Sequence, residues 1–120
     1  MKTTWLVTGG AGFIGSHLVE RVLARGDGCV VLDDLSTGRY ENIHATIGHP
    51  SMEFVEGSVT DRPLVASLVA RADRVVHLAA AVGVRLIVDE PVRTLETNIH
   101  GTEVILKAAW SLSLGSRPGN

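Results

Sequence analysis

The 120-residue chain is 45% hydrophobic and 20% charged, with a mean hydropathy of +0.23. That balance describes one compact domain and excludes a disordered tail. Its net charge of −2 includes nine arginines and two lysines that are scattered, not striped, which argues against nucleic acid or an anionic membrane as the main partner.

The apolar run that opens at Trp5 is broken by Gly9 and Gly10. This is too early for a signal-peptide core or a membrane span, so no targeting segment is expected. Thr4 to Thr8 reads as a first strand, Phe13 to Arg25 as a helix, and Cys29 to Asp33 as a second strand. Cys29, the lone cysteine, has no internal partner and reads as a buried strand thiol in a reducing, cytoplasmic setting. Ser36 to Ser51 reads as a looser region. A third strand follows over Met52 to Glu56. Asp61 with Pro63 forms a helix start signal, predicting a helix over Pro63 to Arg71. Arg74 to Leu78 is a fourth strand, Ala79 to Glu90 a loop, and Pro91 to about Leu112 a long helix interrupted only by Gly101. The Gly, Ser, Pro and Asn of Gly115 to Asn120 suit a frayed end. The expected organisation is one unit over 1–112 and an irregular tail over 113–120. Short apolar strands separated by helices or long crossovers imply an α/β protein, a parallel sheet with helices on both faces.

Between the first strand and the first helix stands VTGGAGFIGS, in which Gly10, Gly12 and Gly15 satisfy G-x-G-x-x-G and Gly9 extends it. The first glycines permit a tight reversal, Gly12 lets the backbone approach a pyrophosphate, and Gly15 lets the helix pack close to the strand. The N–H groups and dipole of the helix N-terminus complete an anion site. Asp33, ending the second strand, has the spacing expected of a carboxylate that accepts ribose hydroxyls. A P-loop is excluded because Ser16 stands where that loop needs lysine. Asp33 and Asp34 oppose a 2′-phosphate, and Arg39 lies beyond Gly38, so NAD is favoured over NADP.

The five histidines, His17, His44, His49, His77 and His100, show no metal-ligand spacing, and no metal is expected. Asp89 and Glu90 read as a solvated loop. Trp5 and Trp110 read as packing residues with nothing basic around them.

Four ordered stretches, TGGAGFIGSHL at Thr8 to Leu18, DDLSTGR at Asp33 to Arg39, HLAAAVGV at His77 to Val84 and TNIHGT at Thr97 to Thr102, resemble the extended short-chain dehydrogenase/reductase superfamily. Within it they look most like the NAD-dependent epimerase/dehydratase family, over about Lys2 to Ala109. The resemblance implies a Rossmann-type sheet, here its first four strands, and bound NAD. It implies that Gly9, Gly12, Phe13, Ile14 and Gly15 form the pyrophosphate turn and that Asp33 holds the ribose. Asp34, Ser36, Thr37 and Gly38 would surround the adenosine, Ser58 and Val59 would meet the adenine, Leu78, Ala79, Ala80 and Ala81 would lie along the middle of the cofactor, and Asn98 would stand near it.

The chain departs from the family at two points. Ser58 replaces the aspartate that usually follows the third strand, and a neutral hydroxyl contributes less than a carboxylate. The Tyr-x-x-x-Lys pair with which the family moves the sugar proton is absent, because the only tyrosine, Tyr40, has His44 four residues on. No catalytic residue is therefore assigned. The chain reads as the first half of a nucleotide-sugar epimerase or dehydratase, cut or diverted near Trp110. It is expected to be inactive alone and to self-associate through an open sheet edge. The alternative is a non-catalytic module that binds NAD or merely folds. The nucleotide-sugar substrate would need the remaining half, and neither its identity nor the reaction on it is legible.

Overall fold

The computed structural model describes residues 2–79 and 102–109. In chain order these form β1 (Thr4–Thr8), α1 (Phe13–Ala24), β2 (Gly28–Asp33), α2 (Tyr40–Ile43), β3 (Met52–Glu56), α3 (Arg62–Arg71) and β4 (Arg74–His77), followed by helical residues 102–109 (α4). The strands make one sheet in the order β3-β2-β1-β4. All three pairings are parallel, with Thr8 opposite Leu32 on one side and His77 on the other. This is the Rossmann-type α/β arrangement that the alternation of strands and helices predicts.

Side chains of adjacent strand residues point to opposite faces, and the sheet divides its core accordingly. Val7, Cys29 and Val31 pack with Val19, Val22 and Leu23 of α1 on one face. Leu6, Val30 and Leu32 pack with Val65, Leu68 and Val69 of α3 and with Val104 and Ile105 of α4 on the other. Every residue of β2 is buried, which is why that strand reads as a continuous apolar run. Cys29 is the buried strand thiol read from the sequence, and burial pushes it up to about 12, which leaves it inert.

Several element ends differ from the sequence reading for local reasons. The first helix stops at Ala24, one residue before the predicted Arg25, because Arg25 is its C-cap and Gly26 then takes φ +87°, the left-handed turn that glycine tolerates best. Gly28, not Cys29, opens β2, since its N–H reaches the Thr3 carbonyl at 2.9 Å. Asp61 caps α3 as predicted, accepting from Leu64 N–H at 3.2 Å, and the helix starts at Arg62 ahead of Pro63. The fourth strand ends at His77: the Leu78 N–H is shared between the Thr8 carbonyl and the Thr8 hydroxyl, both at 3.0 Å, and the Ala79 N–H turns onto that hydroxyl.

The region read as loose, Ser36 to Ser51, contains α2. A four-residue helix has no periodicity to detect and little stability of its own. It is held by Ile43, fully buried in the α1-side core. The reading of Trp5 also needs correction, since Arg25 and Arg74 lie over its ring with guanidinium carbons 5.9 and 5.2 Å from the centroid. Parallel strand pairing brings in Arg74, which is remote in sequence, and Trp5 remains a packing residue. Of the predicted helix from Pro91 to about Leu112, residues 102–109 are helical. The rest of it, most of the Ala79 to Glu90 loop, Trp110 and the 113–120 tail lie outside the described residues.

Candidate functional site

The chain reverses its direction of travel across the sheet at β1, which has β2 on one side and β4 on the other. At such a switch point the loops leaving the carboxyl ends of the strands diverge and open a crevice. A cleft of about 320 Å³ lies there. Its floor is the glycine turn (Gly9, Gly12, Phe13, Ile14 and Gly15), one wall is Leu32, Asp33, Asp34, Ser36, Thr37 and Gly38, and the others are Gly57, Ser58 and Val59, with Leu78 and Ala79.

The turn has its shape because two glycines admit no substitute. Gly9 sits at φ +75°, and a Cβ there would lie 2.7 Å from the Ala79 nitrogen. A Cβ on Gly15 would lie 2.2 Å from the Gly9 carbonyl oxygen, so α1 packs against the turn at backbone contact. Gly12 is different. A Cβ there would meet only the Gly9 oxygen at 3.3 Å, so its side faces the cleft. Gly12 is also the N-cap of α1, and among the described residues no side chain caps that helix start. The first-turn N–H groups of an α-helix have no intrahelical partner, and here they border the cleft. Phe13 and Ile14, 76% and 72% exposed, carry apolar surface to its mouth.

Asp33 is only 7% exposed. Its Oδ2 accepts from Ala11 N–H at 2.9 Å and its Oδ1 from Leu35 N–H at 2.8 Å. A carboxylate has about four acceptor positions, so each oxygen keeps one for a ligand. Among the described residues no cation pairs with it. Leu35 holds φ +62°, a left-handed conformation that costs a non-glycine residue roughly 1 kcal/mol, and its bond to Oδ1 offsets this.

On the other side, Thr8 Oγ1 accepts from the Leu78 and Ala79 amides at 3.0 and 3.1 Å. Its own proton therefore goes to His77 Nδ1, 2.6 Å away. That leaves the imidazole neutral with its hydrogen on Nε2, which donates to Thr102 Oγ1 at 3.2 Å. Burial lowers the His77 pKa from its ordinary value, in keeping with a neutral ring. Ser58 Oγ accepts from Thr60 N–H at 3.1 Å and shares a bond with Thr60 Oγ1 at 2.8 Å.

Every sequence-predicted site residue that the structure describes borders this one cleft. Ala80, Ala81 and Asn98 lie outside the described residues. Leu32 and Gly57 were missed. Both flank residues that the sequence points to (Asp33 and Ser58), and the strand-end positions themselves are the signal for them. Thr8 and His77 also escaped assignment, because their role is to shape the wall and not to line it. Among the described residues no group of His, Cys, Asp and Glu could hold a metal ion, and no helix is long and apolar enough to cross a membrane.

The site fits a dinucleotide in its chemistry. It has an uncapped helix start for the phosphates, a buried carboxylate with free acceptor positions for vicinal hydroxyls, and a glycine whose open side leaves the approach clear. Comparison with known proteins agrees. UDP-glucose 4-epimerase of Mycolicibacterium smegmatis is 46% identical over 105 residues, a match covering 87% of this chain and 34% of that protein. UDP-glucuronic acid decarboxylase 4 of Arabidopsis thaliana is 40% identical over 97 residues, 81% of this chain and 21% of its own length. The crystal structure of DesIV, a dTDP-glucose 4,6-dehydratase from Streptomyces venezuelae with NAD and TYD bound, superposes with a TM-score of 0.85 at 36% identity, covering 93% of this chain and 37% of that one. The chain thus spans about a third or less of these relatives, and they differ in the reaction they perform. The model of the GDP-mannose 4,6 dehydratase family matches residues 6–117. By that match, and by its similarity to epimerases and dehydratases alike, the chain belongs to this family of NAD-dependent epimerases and dehydratases.

Proposed function

We propose that this chain is the NAD-binding part of a nucleotide-sugar epimerase or dehydratase. The observation that carries the reading is the pairing, across one cleft at the switch point, of the α1 N-terminus with the buried Asp33, neither met by a capping side chain or a cation among the described residues. In this reading the turn from Gly9 to Gly15 receives the pyrophosphate and Asp33 the ribose hydroxyls. Asp34, Ser36, Thr37 and Gly38 surround the adenosine, Ser58 and Val59 meet the base, and Leu78, Ala79, Ala80, Ala81 and Asn98 follow the cofactor toward its nicotinamide end. Bound NAD supplies a hydride acceptor for a sugar carbon.

Removing that hydride also requires taking the hydroxyl proton, and these 120 residues hold no Tyr-x-x-x-Lys pair for the task. The chain by itself therefore binds the cofactor without turning over a sugar nucleotide, and a substrate site requires further residues. The cofactor unit runs over 1–112 and works in the cytoplasm, and self-association through the β4 edge accompanies its isolation. Calorimetric titration of the purified chain tests the reading. NAD is expected to bind measurably and NADP at least tenfold more weakly, because a 2′-phosphate would meet the Asp33 carboxylate. Equal affinity for both, or none for NAD, overturns it.

A further inference from the structure

We infer that Asn42, which does not border the cleft, is a positioning residue for dinucleotide binding. Its side-chain amide holds the carbonyl of Ala11, the residue whose N–H ties the glycine turn to Asp33. The inference rests on the proposed NAD site and concerns how that site is kept in shape. Ala11 lies in the glycine turn and is fully buried. Its N–H donates to Asp33 Oδ2 at 2.9 Å. Its carbonyl oxygen accepts from Asn42 Nδ2 at 2.8 Å and from Arg39 N–H at 3.0 Å, so both lone pairs are used. A trans peptide directs its C=O and the following N–H in opposite directions. Fixing the Ala11 oxygen toward α2 therefore fixes Gly12 N–H on the other side, where it donates to the Gly9 carbonyl at 3.1 Å and closes the turn from which α1 starts.

The clamp comes from a separate element that the core secures. Ile43, next in sequence to Asn42, is fully buried against the α1-side core, and the Asn42 backbone N–H donates to the Arg39 carbonyl at 3.0 Å. One short turn thereby presents both donors. The preceding loop lies against the same peptide, since a Cβ on Gly38 would stand 2.9 Å from the Ala11 carbonyl carbon and 3.0 Å from Asp33 Oδ2. With Asn42 removed, the Ala11 carbonyl keeps only the Arg39 amide, and one of the two donors that fix the turn beside the carboxylate is lost.

The test uses the 120-residue chain with Asn42→Ala and the isosteric Asn42→Asp, which keeps the shape but loses the donor. NAD affinity is measured by calorimetry, global stability by urea unfolding, and the unliganded amide spectrum by nitrogen-15 NMR. Loss of one hydrogen bond predicts NAD binding weakened by about five- to tenfold in Asn42→Ala, and by at least as much in Asn42→Asp, whose carboxylate oxygen would face the Ala11 carbonyl oxygen. The urea midpoint should fall by no more than the loss of one hydrogen bond, and the Ala11, Gly12 and Leu35 amides should shift before any ligand is added. If Asn42→Ala does not fold, Asn42→Asp carries the test alone. Affinity within twofold of the parent, or amide shifts confined to residues 39–44, overturns the inference while leaving the NAD site standing. A loss of affinity that comes only with a fall in the urea midpoint well beyond one hydrogen bond overturns it as well. Failure of the parent chain to bind NAD overturns both.

Discussion

Two aspartates stand at opposite ends of the sheet, and their surroundings differ. At the end where β1 begins, Asp27 accepts from Trp5 Nε1 at 3.1 Å and Thr3 N–H at 3.4 Å and lies 3.7 Å from the Arg25 guanidinium. Its pKa is lowered, chiefly by the Trp5 bond, with Thr3 and the charges of Arg25 and Arg74 adding to the effect. At the end where β1 finishes, Asp33 is buried and held by two backbone amides, with no cation among the described residues. The first carboxylate is satisfied by its own neighbourhood, so it acts as a structural tie. The second keeps acceptor capacity in reserve, and a group held that way is suited to a ligand.

The comparison is sharpened most at the glycine turn. Gly12→Val is expected to abolish measurable NAD binding, a loss beyond about a hundredfold, with the circular dichroism spectrum intact, because the branched side chain enters the cleft and not the core. Gly15→Ala is the control: its Cβ would sit 2.2 Å from the Gly9 carbonyl oxygen, and relief of that clash is expected to cost about 1–3 kcal/mol of folding stability by urea unfolding. If Gly12→Val binds NAD normally, the phosphates do not approach there.

At the next level, Asp33→Ala should weaken NAD by about 1.5–3 kcal/mol, the scale of hydrogen bonds to a charged group. Asp27→Ala should leave NAD affinity within about twofold while lowering the urea midpoint. Calorimetry and unfolding on the same two variants check this, and a similar response from both aspartates would break the distinction between the two ends.

The smallest effect expected is a pH dependence. His77 has a folded pKa below its ordinary 6.5, so the unfolded chain binds the extra proton first. Its contribution to stability is complete above pH 6.5 and is lost as pH falls from there toward the folded value. Asp27 behaves likewise at lower pH, its contribution being present above 3.8 and lost as pH falls through its lowered value. Urea midpoints between pH 7.5 and 5.5 should therefore decline slightly, and His77→Gln should flatten that decline. An unchanged slope in the variant assigns the effect to another group.

Much of this was legible from the residues in order. Strand burial on both faces, the Asp61 cap and the glycine spacing all act through neighbours close in sequence, and their physics survives without a fold. Asn42, Thr8 and His77 were not legible as site residues. Each works by a hydrogen bond to a residue 31 or 69 positions away, and nothing in local composition marks such a partner.

The sequence by itself determined the α/β class, the strand positions to within a residue, the glycine turn and the place of Asp33 at the end of β2, because periodicity and glycine chemistry are local properties of a chain. The tertiary structure decided the rest. Only the parallel pairing of β1 with both β2 and β4 puts the turn, Asp33 and the Leu78–Ala79 backbone around one cleft, and only the burial of Ile43 brings Asn42 onto the Ala11 carbonyl. Those are long-range contacts, and their cost in chain entropy is met by the whole core and by no single stretch of sequence.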